Sequence, residues 1–260
     1  MKDIVNDLIA EQSLVDAMLD GLTEEQWKLP LEGCKPWILQ DAVNHIAFFD
    51  YAANRLMDHE FTDLCDRLDK EAQQDADYIP HAFRGYTGAQ TLQWWRAERT
   101  RMDFKFMSKD PKERIPWAPG MPMSARSLCS ARLMELWAHS VDIYDALGRD
   151  VEVHERIKSV LFLSWQARPF AYAINGLKLP ETPVYLELTL PSGALWIKGE
   201  PNDENYIKGS AKDWAMVSVR RRSWMDTALE VVGEEARRYA GLVQCYAGGA
   251  DAAPEAKRQR

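Results

Sequence analysis

At 260 residues with 46% hydrophobic content, the chain can bury a sizeable core, as one large domain or two ordinary ones, and wholesale disorder is excluded. A formal charge of −8 argues against a surface built to neutralise phosphates, so nucleic acid is not an expected partner. The N-terminus, MKDIVNDLIAEQSLVDAML, mixes charge with apolar residues, and no apolar run of about 18 residues follows anywhere, which reads as a cytoplasmic chain with no membrane partner.

Four segments before residue 150 carry helical periodicity. The first runs from about residue 4 to 22, with Ile4, Leu8, Val15, Leu19 and Leu22 on one stripe, and Thr23 with Gln26 then forms a capping-box pair. The second begins after Pro36 and places Trp37, Asp41, His45, Phe49 and Leu56 along its inward face. The third follows the Thr87 and Gln90 pair, carries Leu92, Trp95, Arg99, Met102 and Phe106 at helical spacing, and ends at Asp110-Pro111. The fourth starts near Ser124, after the Pro/Gly-broken stretch IPWAPGMPMSA, and stops at Gly148. With connections that are short except for the acidic 57–86 segment, these helices predict a four-helix bundle over residues 1–150.

The pattern then changes. ERIKSVLFLSWQARPFAYAI predicts a fifth helix, PVYLELTL and ALWIKGE two strands joined through Pro191-Ser192-Gly193, and AMVSVRRR and ALEVVG further extended segments. EEARRYAGLVQCYAG predicts a last helix, giving a smaller α+β domain over 151–248 and a disordered tail over 249–260. Cys34, Cys65, Cys129 and Cys245 form no C-x-x-C pair and read as reduced thiols, Cys129 as a small buried one.

The chemistry concentrates in ARLMELWAHSVDIYDALGR. Glu135, His139 and Asp142 fall at i, i+4 and i+7 on one helix face among mostly apolar neighbours. Burying such groups without partners costs several kcal/mol, roughly 2–7 even for a neutral polar group, so something must compensate them. A structural pairing of Glu135 and His139 with a buried arginine is one solution. The other adds inward-facing His45: two histidines and a glutamate from two facing helices make a three-ligand set of the kind catalytic zinc uses, with one position left open. Asp142, one turn beyond His139, would either orient the ligand imidazole from behind or add a fourth ligand.

NHIAFFD in the second helix and RLMELWAHSVDIYDALGR in the fourth resemble the paired motifs of the mycothiol-dependent maleylpyruvate isomerase family, within the DinB-like group of metal-binding four-helix bundles. The resemblance covers roughly residues 5–148. It implies that His45, Glu135 and His139 bind a divalent metal, usually zinc, and that the C-terminal domain is a sterol-carrier-like α+β fold. It also implies a metal-dependent enzyme using a low-molecular-weight thiol as cosubstrate, a thiol transferase or cis–trans isomerase acting on a small electrophile. A cationic clamp for a carboxylated substrate would come from the C-terminal domain, where Arg220, Arg221 and Arg222 are the candidates; Arg221 and Arg222 are expected to be catalytic together with Asp142. Arg99, Arg126 and Arg132 are rivals for the clamp, and Trp94, Trp95, Trp117 and Trp137 read as core. Two other readings remain: a hydrolase or lyase using a metal-bound water, and a noncatalytic protein that binds a metal or an apolar ligand. The expected assembly is a monomer or a homodimer.

Overall fold

In the computed structural model the described residues are 1–58, 81–118 and 121–257. Their contacts divide the chain into two compact units, Met1–Asp150 and Val151–Arg260. Most of the expected acidic connection (59–80, with Cys65) and the last three residues of the expected tail lie outside the described residues.

The first unit is a bundle of α1 (Lys2–Leu19), α3 (Leu39–Met57), α4 (Gly88–Ser108) and α5 (Ala125–Ala146), with the short α2 (Glu24–Trp27) ahead of α3. α1 and α3 each pack on both α4 and α5, which closes the ring. The apolar stripes meet in its middle: Ile4, Leu8, Val15 and Leu19 from α1, Leu92, Trp95, Met102 and Phe106 from α4, and Leu128, Leu133, Trp137 and Val141 from α5 are all buried. The helix starts follow their local chemistry. Thr87 and Gln90 exchange hydrogen bonds at the head of α4, and the Ser124 hydroxyl accepts the Ser127 N–H at the head of α5. The Thr23 and Gln26 pair caps the short α2. α3 begins at Leu39 rather than directly after Pro36, where the Asp41 carboxylate accepts the Ile38 N–H. Gly148, at φ 63°, terminates α5 in the left-handed conformation that favours glycine.

The stretch before α5, expected to be merely broken, pairs with itself. β1 (Arg114–Ala118) and β2 (Met121–Ser124) form an antiparallel ribbon with Ile115 opposite Met123, and β1 packs on α3 and α5. A two-stranded ribbon tolerates its prolines because each strand has an unpaired edge.

The second unit holds a four-stranded sheet in the order β4-β3-β5-β6, built from β3 (Tyr185–Thr189), β4 (Leu195–Lys198), β5 (Tyr206–Ser210) and β6 (Glu230–Val232). β3 and β5 are parallel and the other pairs antiparallel. The sequence pattern predicts three of these strands and misses β5. The long fifth helix divides into α6 (Lys158–Gln166) and α7 (Arg168–Ile174). Pro169 cannot donate to the Trp165 carbonyl, and the chain breaks just ahead of it. AMVSVRRR is not a strand: Ala211–Ser218 forms α8, capped by the Ser210 hydroxyl on the Asp213 N–H. Residues 214–218 of α8 are buried all round, so their apolar run carries no periodicity that separates helix from strand. α9 (Glu234–Leu242) ends the regular structure. Beyond it the Asp251 N–H bonds the Gln244 side chain and the Lys257 N–H bonds Asp226.

Each bundle arginine considered as an anion clamp is bonded to a carboxylate. Arg99 pairs with Asp16 and Arg126 with Asp3. Arg132 is 2% exposed; its Nε donates to Asp50 at 3.0 Å and Nη2 to the Ile46 carbonyl, while the Trp95 indole donates to the other Asp50 oxygen at 3.0 Å. This buried triad joins α3, α4 and α5. Asp50→Ala is expected to destabilise the protein by about 3–5 kcal/mol, because it strands a buried guanidinium. The double change Asp50→Leu with Arg132→Met is expected to cost less than that single change. Urea unfolding of both proteins checks the order.

Candidate metal centre

α3 and α5 pack side by side, and the i, i+4, i+7 spacing on α5 puts Glu135, His139 and Asp142 on one face of the helix. His45 lies opposite. The Glu135 carboxylate sits between two imidazoles, its Oε2 3.6 Å from His45 Nε2 and 4.0 Å from His139 Nε2. The ring centroids of His45 and His139 are 4.9 Å apart. Trp37 stacks on His139 at 5.7 Å and leans on His45 at 5.2 Å, while Phe49, one turn after His45, closes the other side at 4.7 Å.

Burial pushes the His45 imidazole down to about 4 despite the neighbouring carboxylate, so it is neutral at pH 7. Burial alone would raise the Glu135 carboxyl, but the adjoining His45 imidazole, with His139 and Arg132 beyond it, holds it below the ordinary carboxylate range. A neutral imidazole and an ionised carboxylate are the forms that ligate a cation.

The donor set fits a divalent metal. One ligand atom from each of His45, Glu135 and His139 lies within 4.8 Å of the others. A tetrahedral zinc with bonds of roughly 2.1 Å separates its ligands by about 3.4 Å, only slightly less than the two nitrogen–oxygen separations at Glu135. The side chains of His45 and Glu135 are 19% and 24% exposed against 6% for His139, so the cluster is open on one side. That side is where a further ligand would enter.

Behind His139 the structure brings in Asp142, whose side chain is 1% exposed and whose Oδ2 lies 3.1 Å from His139 Nδ1. This contact favours the tautomer with its proton on Nδ1, and Nε2 is the ring nitrogen that faces Glu135. Cys34, which the sequence does not single out, donates its S–H to the same oxygen at 3.3 Å. It comes from a compact loop between α2 and α3 whose ends are joined by a Pro30–Ile38 bridge and by the Leu39 N–H on the Leu29 carbonyl. The same loop carries Trp37. Nothing in the local sequence marks Cys34, because its partner is 108 residues away.

In the second unit, Arg220 is spent on structure. Its guanidinium donates to the Gly241 and Leu242 carbonyls at 2.7 and 2.9 Å, at the C-terminal end of α9, from a backbone at φ 61°. Arg221 and Arg222 follow α8 in a turn, not a strand end, and bond the Val219 and Arg221 carbonyls respectively. Of the four tryptophans read as core, Trp95 and Trp137 are buried; Trp94 packs on Phe83 and Trp117 lies against Phe49, both partly exposed.

Known proteins share this frame. The family model described as the mycothiol maleylpyruvate isomerase N-terminal domain matches residues 8–144, the segment that contains His45, Glu135, His139 and Asp142. Two Mycobacterium tuberculosis proteins, the uncharacterized protein MT0041 of strain CDC 1551 / Oshkosh and the uncharacterized protein Rv0036c of strain ATCC 25618 / H37Rv, are each 30% identical over 247 residues, covering 94% of this chain and 95% of their own. The crystal structure of mycothiol-dependent maleylpyruvate isomerase superposes with a TM-score of 0.58 at 14% identity, and that of a single-residue variant with 0.60 at 13%. Both alignments cover 85% of this chain and 89% of the other. At that identity they establish a common fold, and the profile match over more than half of the sequence settles the kinship: the chain belongs to the family of the mycothiol maleylpyruvate isomerase N-terminal domain.

Proposed function

We propose that this protein is a metal-dependent enzyme that works through a low-molecular-weight thiol of the mycothiol type, as a thiol transferase or cis–trans isomerase on a small electrophile. The observation that supports this best is the Glu135 carboxylate held between the His45 and His139 imidazoles, with one side of the cluster open. Membership in a family named for a mycothiol-dependent isomerase supplies the thiol.

A divalent cation bound there would lower the pKa of a coordinated thiol and so supply a nucleophile at neutral pH. The chain's own residues do the rest. Glu135 would offset part of the positive charge, and His45 and His139 would contribute nitrogen donors. Asp142 holds the Nδ1 proton of His139 and fixes the ring. Trp37 packs against both imidazoles and Phe49 against that of His45, which restricts how the rings can turn. For a carboxylated substrate, the family resemblance gives the role of cation to an arginine of the C-terminal domain, for which Arg221 and Arg222 remain the candidates.

Purified protein is expected to hold about one zinc-like ion per chain, and His45→Ala, Glu135→Ala and His139→Ala each to lose it, measured by inductively coupled plasma mass spectrometry. Asp142→Asn is expected to keep the site but weaken it about 10–100-fold. Stoichiometric metal in all three alanine variants would put the site elsewhere.

Turnover of an activated alkene or alkyl halide is expected to require added thiol and to disappear after chelation. Arg221→Ala or Arg222→Ala is expected to reduce turnover of a carboxylated electrophile while leaving metal content unchanged. A metal-dependent rate that ignores added thiol would replace this reading with the water-based hydrolase or lyase, and metal binding with no turnover of any electrophile would leave the noncatalytic reading.

A further inference from the structure

Two donors converge on one oxygen behind the metal centre. Asp142 Oδ2 accepts the His139 Nδ1 proton at 3.1 Å and the Cys34 S–H at 3.3 Å, one from its own helix and the other from the loop ahead of α3. A carboxylate one turn along the helix from its histidine has freedom about its terminal torsion, which is broad for aspartate. A donor from a different element removes that freedom. The loop is placed to supply it, because Trp37, three residues past Cys34, stacks on the same His139 ring, and the Trp37 N–H bonds the Cys34 carbonyl at 2.8 Å. Loop and helix therefore grip His139 at its face and at its Nδ1 edge.

We propose that Cys34 is a positioning residue for the metal centre, its S–H holding the Asp142 carboxylate in the orientation that receives the His139 Nδ1 proton and so aims Nε2 at Glu135 and His45. The inference rests on the metal reading above and adds a residue from outside the bundle helices. The sulfur lies on the Nδ1 side of the ring, while Nε2 faces Glu135. Cys34, His139 and Asp142 also present donors within 4.8 Å of one another, so direct ligation by sulfur is the competing arrangement. It would require the metal to displace the proton that Asp142 accepts.

The test titrates full-length, chelator-stripped protein with Co2+ and follows the visible d–d absorption. Because a thiol is a weak donor and acts on the ligand through two successive hydrogen bonds, Cys34→Ala is expected to weaken Co2+ binding by about 3–10-fold, less than the roughly 10–100-fold of Asp142→Asn. Cys34→Ser retains a donor and is expected to stay within about twofold of wild type. In an Asp142→Ala background, Cys34→Ala is expected to add nothing, since its route to the metal is then cut. Equal affinity of Cys34→Ala and wild type, or an undiminished loss in the Asp142→Ala background, would overturn the positioning role. So would a sulfur-to-cobalt charge-transfer band in the near ultraviolet that vanishes in Cys34→Ser, because sulfur would then be a ligand. A wild type that takes up no Co2+ would overturn the metal reading itself, a result distinct from all of these.

Discussion

The bundle is organised around the cost of keeping ionisable side chains on a buried helix. α5 carries Arg132, Glu135, His139 and Asp142 within three turns, and three of the four are nearly inaccessible to water. Each is compensated by a particular atom: Arg132 by Asp50 and the Ile46 carbonyl on α3, Glu135 by His45 on α3, His139 by Asp142, and Asp142 in turn by the Cys34 thiol. The contacts to α3 follow one another along the α3–α5 interface. Sliding one helix past the other by a turn, about 5.4 Å, would break them together. A purely apolar seam could tolerate such a slip at modest cost; the polar one selects a single register, and the same register brings the two imidazoles and the carboxylate together.

Much of this is legible in the sequence because it is local. The E-x-x-x-H spacing on one helix and the inward histidine on another need only helical periodicity to be seen, and the capping residues Thr87 and Ser124 locate helix starts from a few residues. What cannot be read is what depends on distant partners. Asp50 and Arg132 are 82 residues apart and Cys34 and Asp142 108 apart, and no local pattern links either pair. Helix and strand are confused where burial is uniform: residues 214–218 of α8 are all buried, so the apolar run suggests a strand where the chain forms a helix. β5 escapes notice for the opposite reason. It is short, contains Gly209 and follows a polar turn, and it becomes a strand because β3 and β6 flank it.

The arginine triplet shows how residues of one type separate by context. As a sequence feature it is a block of positive charge; in the fold, Arg220 turns inward through a left-handed backbone to bond the carbonyls at the end of α9, where a cation is favoured by the helix dipole. Arg221 and Arg222 instead bond carbonyls of their own turn. Charge density along a sequence is therefore a poor guide to which cation can serve a ligand.

The loop between α2 and α3 leaves and re-enters the bundle at almost the same place, tied at Pro30–Ile38 and at Leu29–Leu39, while every proposed metal ligand stands on α3 or α5. It is thus separable from the frame in a way the helices are not. Insertions, deletions or wholesale exchange between the two ties would alter the wall that Trp37 presents without moving a ligand helix. A lineage built on this frame could diversify its substrate range by loop grafting, provided each new loop still offered a donor to the carboxylate behind His139.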